Sequence, residues 1–170
     1  QTIAQWKKQF GSIDWKLVLV GKRDYFYERV HALAAEQGVL DHIVFTGFVP
    51  DDDLACLYQS ALAYIFPSLY EGFGLPPLEA MHYGTPVLAA NTSCLPEVLG
   101  AAAEYFDPTD ISGIITAIHH VIDSEERRSE LVEAGYARVE SFSWERMMHE
   151  TRTVYERIIS TITETSNDAA

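Results

Sequence analysis

Ser68-Leu-Tyr-Glu-Gly-Phe-Gly-Leu-Pro-Pro-Leu-Glu79 holds two glutamates, Glu71 and Glu79, with seven residues between them and a glycine-containing loop in that interval. The stretch follows the apolar run Leu62-Ala-Tyr-Ile-Phe66 and leads into a helical pattern, so it reads as a strand-to-helix turn. Such turns lie at the carboxyl ends of strands in α/β folds, where ligands bind. Gly72 and Gly74 free backbone amides at the helix start for an anionic group. The flanking carboxylates suit hydroxyls. Amides between two hydroxyl acceptors match a sugar joined to a diphosphate.

Outward from this turn, short apolar runs alternate with amphipathic stretches. Lys16–Val20 reads as a buried strand ending at Gly21. Tyr25–Gln37 has helical spacing through Phe26, Val30, Leu33 and Ala34, with Gly38 as its stop. Ile43–Thr46 is the second strand, and Asp51, Asp52 and Asp53 open a helix whose apolar face is Leu54, Leu57, Tyr58 and Ala61. Leu62–Phe66 is the third strand, followed by the helix Pro76–Tyr83 and the strand Val87–Ala90. A short helix at Leu95–Leu99 and a strand at Ala103–Phe106 come next, then helices at Ile111–Ile122, Glu125–Val139 and Trp144–Ile162. Strands alternating with helices predict a Rossmann-like, doubly wound α/β domain with a mostly parallel sheet flanked by helices, over residues 1–162. Residues 163–170 carry no periodic signal and read as a frayed tail. Thr2–Phe10 already looks helical with no strand ahead of it, so the domain is expected to lack its first strand, as in a fragment. A central strand missing from such a sheet leaves its neighbours to close up, or a second copy to cover the gap. A homo-oligomer is the expectation.

Bulk properties narrow the classes. The 170 residues fit one domain with a sizeable core. A net charge of −13 argues against nucleic acid and anionic membrane surfaces as partners, and requires local donors for any phosphate. Cys56 and Cys94 lie in no metal-ligand or paired spacing, which points to reduced thiols in a cytoplasmic setting. His119 and His120 are adjacent on a helix and point to different sides, so no shared metal is expected.

Four blocks in order carry a family resemblance: Val44-Phe-Thr-Gly-Phe-Val-Pro50, Pro67 to Ala80, Tyr83-Gly-Thr-Pro-Val-Leu-Ala-Ala90 and Ser93-Cys-Leu-Pro-Glu-Val98. With them the chain resembles the C-terminal, donor-binding domain of family 4 retaining glycosyltransferases of the GT-B architecture, from about Lys16 to Ile159. The resemblance implies a nucleoside-diphosphate sugar as donor, GDP- or UDP-linked, with a mannosyl or glucosyl group passing to a hydroxyl acceptor. It implies no cofactor and no metal. It places Glu71 as the catalytic-site acid near the donor sugar and Glu79 on the nucleotide ribose. The amides of Gly72, Phe73, Gly74 and Leu75 would lie against sugar and diphosphate, and the turn at Phe48 and Val49 beside the base. Retention means departure through an oxocarbenium-like state while charge builds on the diphosphate, which preorganised amides stabilise.

The sequence also departs from that pattern. The Arg and Lys that such enzymes place after the first strand, and the N-terminal acceptor domain, would both precede Gln1. Lys22, after the Val20-Gly21 strand end, is the nearest donor-site cation, and it also reads as a solvated loop charge. Transfer by this chain alone is not expected, and any docking of the parent on the inner membrane face would come through the domain that is absent. Bland readings stand beside the specific ones: Glu71 as a solvated loop acid, Glu79 as a first-turn acid favoured by the helix dipole. At the level of function the alternative is a non-catalytic nucleotide-sugar-binding or assembly module. A pyridoxal-dependent phosphorylase fits poorly, because no lysine follows Lys22.

Overall fold

The computed structural model describes the backbone of residues 1–167 and the side chains of residues 1–160. Eight helices and five strands alternate along them: α1 Thr2–Phe10, β1 Leu17–Val20, α2 Tyr25–Glu36, β2 Ile43–Gly47, α3 Asp51–Ser60, β3 Tyr64–Phe66, α4 Leu75–His82, β4 Val87–Ala90, α5 Leu95–Leu99, β5 Ala103–Phe106, α6 Ile111–Asp123, α7 Glu125–Val139 and α8 Trp144–Asn167. Helix α8 therefore reaches into the stretch expected to fray, and residues 168–170 lie outside the described residues.

All strand pairs are parallel, as the alternation predicts, and they form two sheets. One is β1–β2, with Leu17 opposite Ile43 and a register shift between Leu19 and Val20. The other is β3–β4–β5, with Tyr64 opposite Val87 and Val87 opposite Ala103. No ladder joins β1 to β3 among the described residues. The two strands that would flank the expected missing one have not closed up on each other.

The larger core is built around β4, whose four residues are buried on both faces. That suits a central parallel strand with helices on either side. Ala89 and Ala90 are small enough to let the helices come close. Leu78, Ala80 and Met81 of α4, Val98 and Leu99 of α5, and Ile115, Ile118 and Val121 of α6 complete it. Gly135 of α7 lies directly over Met81, where an added Cβ would come within 3.1 Å of Met81 Cγ. The buried Thr85 hydroxyl donates to the Tyr58 carbonyl at 2.6 Å, tying α3 to the turn before β4.

The second core is small: Ile3, Ala4, Ala34 and Val39, backed by one face of β1 and β2. Ile13 and Trp15 touch both cores. Two expectations need correcting here. Strand β1 is not buried on both faces: Leu17 packs on the small core and Leu19 is half-buried, while Val18 and Val20 are 42% and 44% exposed. Helix α2 does not pack through Phe26, Val30 and Leu33, which are exposed. It meets the sheet through Ala34 and through Tyr27 and His31, whose rings lie 5.3 and 5.2 Å from that of Phe45. The reason is common to both. A two-stranded sheet offers a single covered face, so the remaining apolar side chains of β1 and α2 find nothing to pack against.

Candidate donor site at the carboxyl end of the larger sheet

Strand β3 ends at Phe66, and the chain turns through residues 67–74 before entering α4. Gly74 makes the turn possible, with φ 91° and ψ 56°, a left-handed conformation costly for any residue with a Cβ. A methyl group there would also meet Leu95 Cδ2 at 2.7 Å. Gly72 differs: an added Cβ would have nothing within 4 Å, so open space lies over it.

The amides of Gly72, Phe73, Gly74 and Leu75 make no backbone hydrogen bond among the described residues. Pro76 and Pro77 then follow inside the first turn of α4 and carry no N–H at all. The donors offered to an anion are thus concentrated in the 72–75 segment instead of being spread over the helix start.

Glu71 is half-buried and fixed from two sides. Ser68 Oγ donates to its Oε1 at 2.8 Å. The loop after β4 holds its backbone: Ser93 Oγ accepts from the Glu71 amide at 3.4 Å and donates to the Glu71 carbonyl at 2.8 Å. Cys94 Sγ donates to the same carbonyl at 3.3 Å, and Thr92 Oγ1 donates to the Ser68 carbonyl at 2.9 Å. Ser93 does this from φ 55°, the single non-glycine residue of positive φ among those described. Cys56 and Cys94 are free thiols.

Glu79 sits on the exposed side of α4. Tyr58 Oη, from the buried face of α3, reaches its Oε2 at 3.5 Å. Burial, and then the neighbouring Glu79 charge, push the Tyr58 phenol up to about 12. Burial also raises the Tyr64 phenol, with smaller contributions from Tyr58, Glu79 and Glu71. Both the loop carboxylate of Glu71 and the helix carboxylate of Glu79 are within electrostatic reach of Tyr64.

The expected site is therefore only partly gathered. Glu71, Gly72, Phe73 and Gly74 lie on the turn, and Leu75 and Glu79 on the helix α4 that continues it. Lys22, Phe48 and Val49 follow β1 and β2 of the other sheet, and no hydrogen bond or ring contact joins them to that turn among the described residues. Lys22 is exposed, Phe48 is 69% exposed and Val49 is half-buried. Glu97 leaves its side chain in solvent while Arg138 Nη2 donates to its carbonyl at 2.7 Å. Sequence reasoning missed Ser68, Ser93 and Tyr58. Ser68 stands three positions before Glu71, a spacing that could have suggested the bond. Ser93 and Tyr58 are 22 and 21 positions from their partners and left no local signal.

The family profile described as "Glycosyl transferases group 1" matches residues 2–138. The chain belongs to the group 1 glycosyl transferases. It is 38% identical over 143 residues to "O-antigen chain mannosyltransferase B" of Escherichia coli, a match covering 84% of this chain and 37% of that protein. It is similar in structure to a sucrose-phosphate synthase from Thermosynechococcus elongatus (TM-score 0.80, 27% identity, 94% of this chain and 42% of that one). It also resembles the C-terminal domain of a group 1 glycosyl transferase, LpcC, from Francisella tularensis (TM-score 0.69, 24% identity, 82% of this chain and 74% of that one). The fold is that of a C-terminal GT-B glycosyltransferase domain. This group 1 domain spans 16–37% of the length of the first curated relatives it matches. Among the described residues, no helix is long and apolar enough to cross a membrane.

Proposed function

We propose that this domain binds the nucleoside-diphosphate-sugar donor of a retaining hexosyl transfer, with a mannosyl group, from GDP or UDP, passing to a hydroxyl acceptor. The observation that carries this reading is the run of amides at residues 72–75 that make no backbone hydrogen bond among the described residues, between two carboxylates along the chain. The amides take the diphosphate and the negative charge that grows on it as the glycosidic bond breaks. Glu71, fixed by Ser68 and Ser93, faces the hydroxyls of the sugar, and Glu79 accepts from the ribose. The choice of mannose follows from the 38% identity to a mannosyltransferase.

Countercharge from amides requires no metal, and we propose that the donor binds without one. Phe48 and Val49 would border the base, and Lys22 would supply a cation at that edge beside Arg23, whose Nε lies 3.7 Å from where a Cβ on Gly47 would stand. The donor residues lie on this chain, while the curated relatives are much longer, so we assign donor binding without transfer to the chain by itself. The edges of β1 and β3 that pair with no other strand among the described residues, and the exposed Met147, Met148, Val154, Tyr155 and Ile158 of α8, favour a homo-oligomer, which a monodisperse monomer in light scattering would overturn.

The deciding experiment is calorimetric titration of the chain, and of Glu79→Ala, with GDP, UDP and ADP, each with and without a linked hexose, in the presence and absence of a chelator. Saturable preference for one base, weakened by the substitution and unmoved by the chelator, supports the reading. Silence of every nucleotide favours the second reading, a non-catalytic assembly module that keeps the fold.

A further inference from the structure

We infer that Tyr58 is a positioning residue for Glu79, holding one carboxylate oxygen so that the other is presented to the ribose hydroxyls of a nucleoside diphosphate. This rests on the donor reading above and adds to it a residue on a different helix.

Tyr58 is itself held firmly. It is 7% exposed, and its carbonyl accepts from the buried Thr85 hydroxyl. Its ring meets Tyr64 edge-on at 5.4 Å and stacks on Tyr83 at 5.9 Å. The phenol oxygen therefore stands at a fixed point on the core surface. Glu79 does not: it is exposed, on a long side chain whose rotamer freedom must be given up when a ligand binds. A hydroxyl at a fixed point, directed at Oε2, removes part of that freedom beforehand.

The direction of the bond is settled by protonation. Burial, followed by the Glu79 charge, keeps the Tyr58 proton in place up to about pH 12. Tyr64, edge-on to the Tyr58 ring, is raised in the same sense by its burial. The Tyr58 hydroxyl therefore donates to the carboxylate. Glu79 Oε2 is engaged, and Oε1 has no protein donor among the described residues. At 3.5 Å the contact is long for an O–H···O bond. Hydrogen bonds of a ligand-free site are often long and tighten in the complex.

A phenylalanine would fill the same core space, so the hydroxyl is the testable part. Calorimetry on the full chain, wild type and Tyr58→Phe, would use GDP and UDP, each beside its 2′,3′-dideoxy form. The wild type is expected to favour the ribonucleotide by about tenfold. Tyr58→Phe should cut that preference to about twofold while dideoxy binding stays within about twofold of wild type. Parallel weakening of both forms, or an intact preference, would overturn the inference. Failure of the wild type to bind any of the four would overturn the donor reading and the ribose role together. The Tyr58–Glu79 pairing is read separately, from side-chain couplings of Glu79 in the ligand-free chain. One dominant rotamer in the wild type, averaged in Tyr58→Phe, supports it; identical couplings in both overturn it.

Discussion

Ser93 and Glu71 clasp each other across two loops: one hydroxyl accepts a hydrogen bond from the Glu71 amide at 3.4 Å and donates one to the Glu71 carbonyl at 2.8 Å. The clasp is made from a left-handed backbone at φ 55° that serine adopts at a cost. Ser93→Ala keeps that cost and loses both bonds, so it is expected to lower stability by about 0.5–1.5 kcal/mol. Ser93→Gly loses the bonds but relieves the backbone and should stay close to neutral. Urea unfolding distinguishes the two. Nucleotide-sugar affinity should fall in both variants, because Glu71 is unclasped in each.

The two loop glycines separate folding from binding. Gly74→Ala forces a Cβ into a left-handed residue and against the buried Leu95 methyl, which should cost about 2–4 kcal/mol in thermal or urea unfolding. Gly72→Ala meets nothing and should leave stability within about 0.5 kcal/mol of wild type. Its methyl group occupies the space over the amides, so donor affinity should drop by about tenfold or more. Equal affinity in Gly72→Ala and wild type would refute the placement of the ligand.

Alkaline pH tests the phenols. An unfolded tyrosine ionises near its ordinary value of 10.0, whereas folded Tyr58 holds its proton to about 12. Below the unfolded value both states are protonated and the phenol adds no pH dependence. Above it the unfolded chain releases a proton that the folded chain keeps, and stability falls until the folded group also ionises. Tyr64 acts in the same direction. Urea midpoints followed from about pH 9 to about pH 11 should decline in the wild type and decline less in Tyr58→Phe.

Acid pH tests a different junction. Glu104 of β5 accepts from Arg127 of α7 at 2.8 Å and faces His120 Nδ1 of α6 at 3.1 Å. Burial works against the carboxylate, but its hydrogen bonds to His120 and Arg127 outweigh that and hold it below its ordinary value. The contribution is complete above the unfolded value of 4.5 and disappears as pH falls through the folded one. Glu104→Gln should reduce stability at neutral pH by about 1–2 kcal/mol and flatten the acid side of the curve. A parallel displacement of the two curves would exclude this linkage.

The order of helices and strands was legible because periodicity changes cleanly at each turn, as at Gly21 and at Gly84-Thr-Pro86. The glycine turn and both glutamates were legible because they are contiguous in sequence. What could not be read was the consequence of an unpaired edge. Phe26, Val30 and Leu33 have the spacing of a buried face, and only the one-sided β1–β2 sheet leaves them in solvent. Tyr58 could not be read as a site residue because its apolar neighbours in α3 explain a buried aromatic by themselves. Ser93 looked like one member of a family block, and its work is done by a backbone angle that composition does not reveal.

The separation of the strands into two sheets has a consequence for cooperativity. Ile13 and Trp15 are shared between a large core and a small one, so disruption passes between them through few side chains. Opening the β1–β2 unit exposes little apolar surface and leaves the β3–β4–β5 unit intact. Amide hydrogen exchange should therefore report two levels of protection: fast, sub-global opening for Leu17–Val20 and Ile43–Gly47, and slow, global opening for Val87–Ala90. The turn that carries Glu71 and the helix that carries Glu79 are anchored in the β3–β4–β5 unit, so the donor turn would persist while two of the five strands are exchanging.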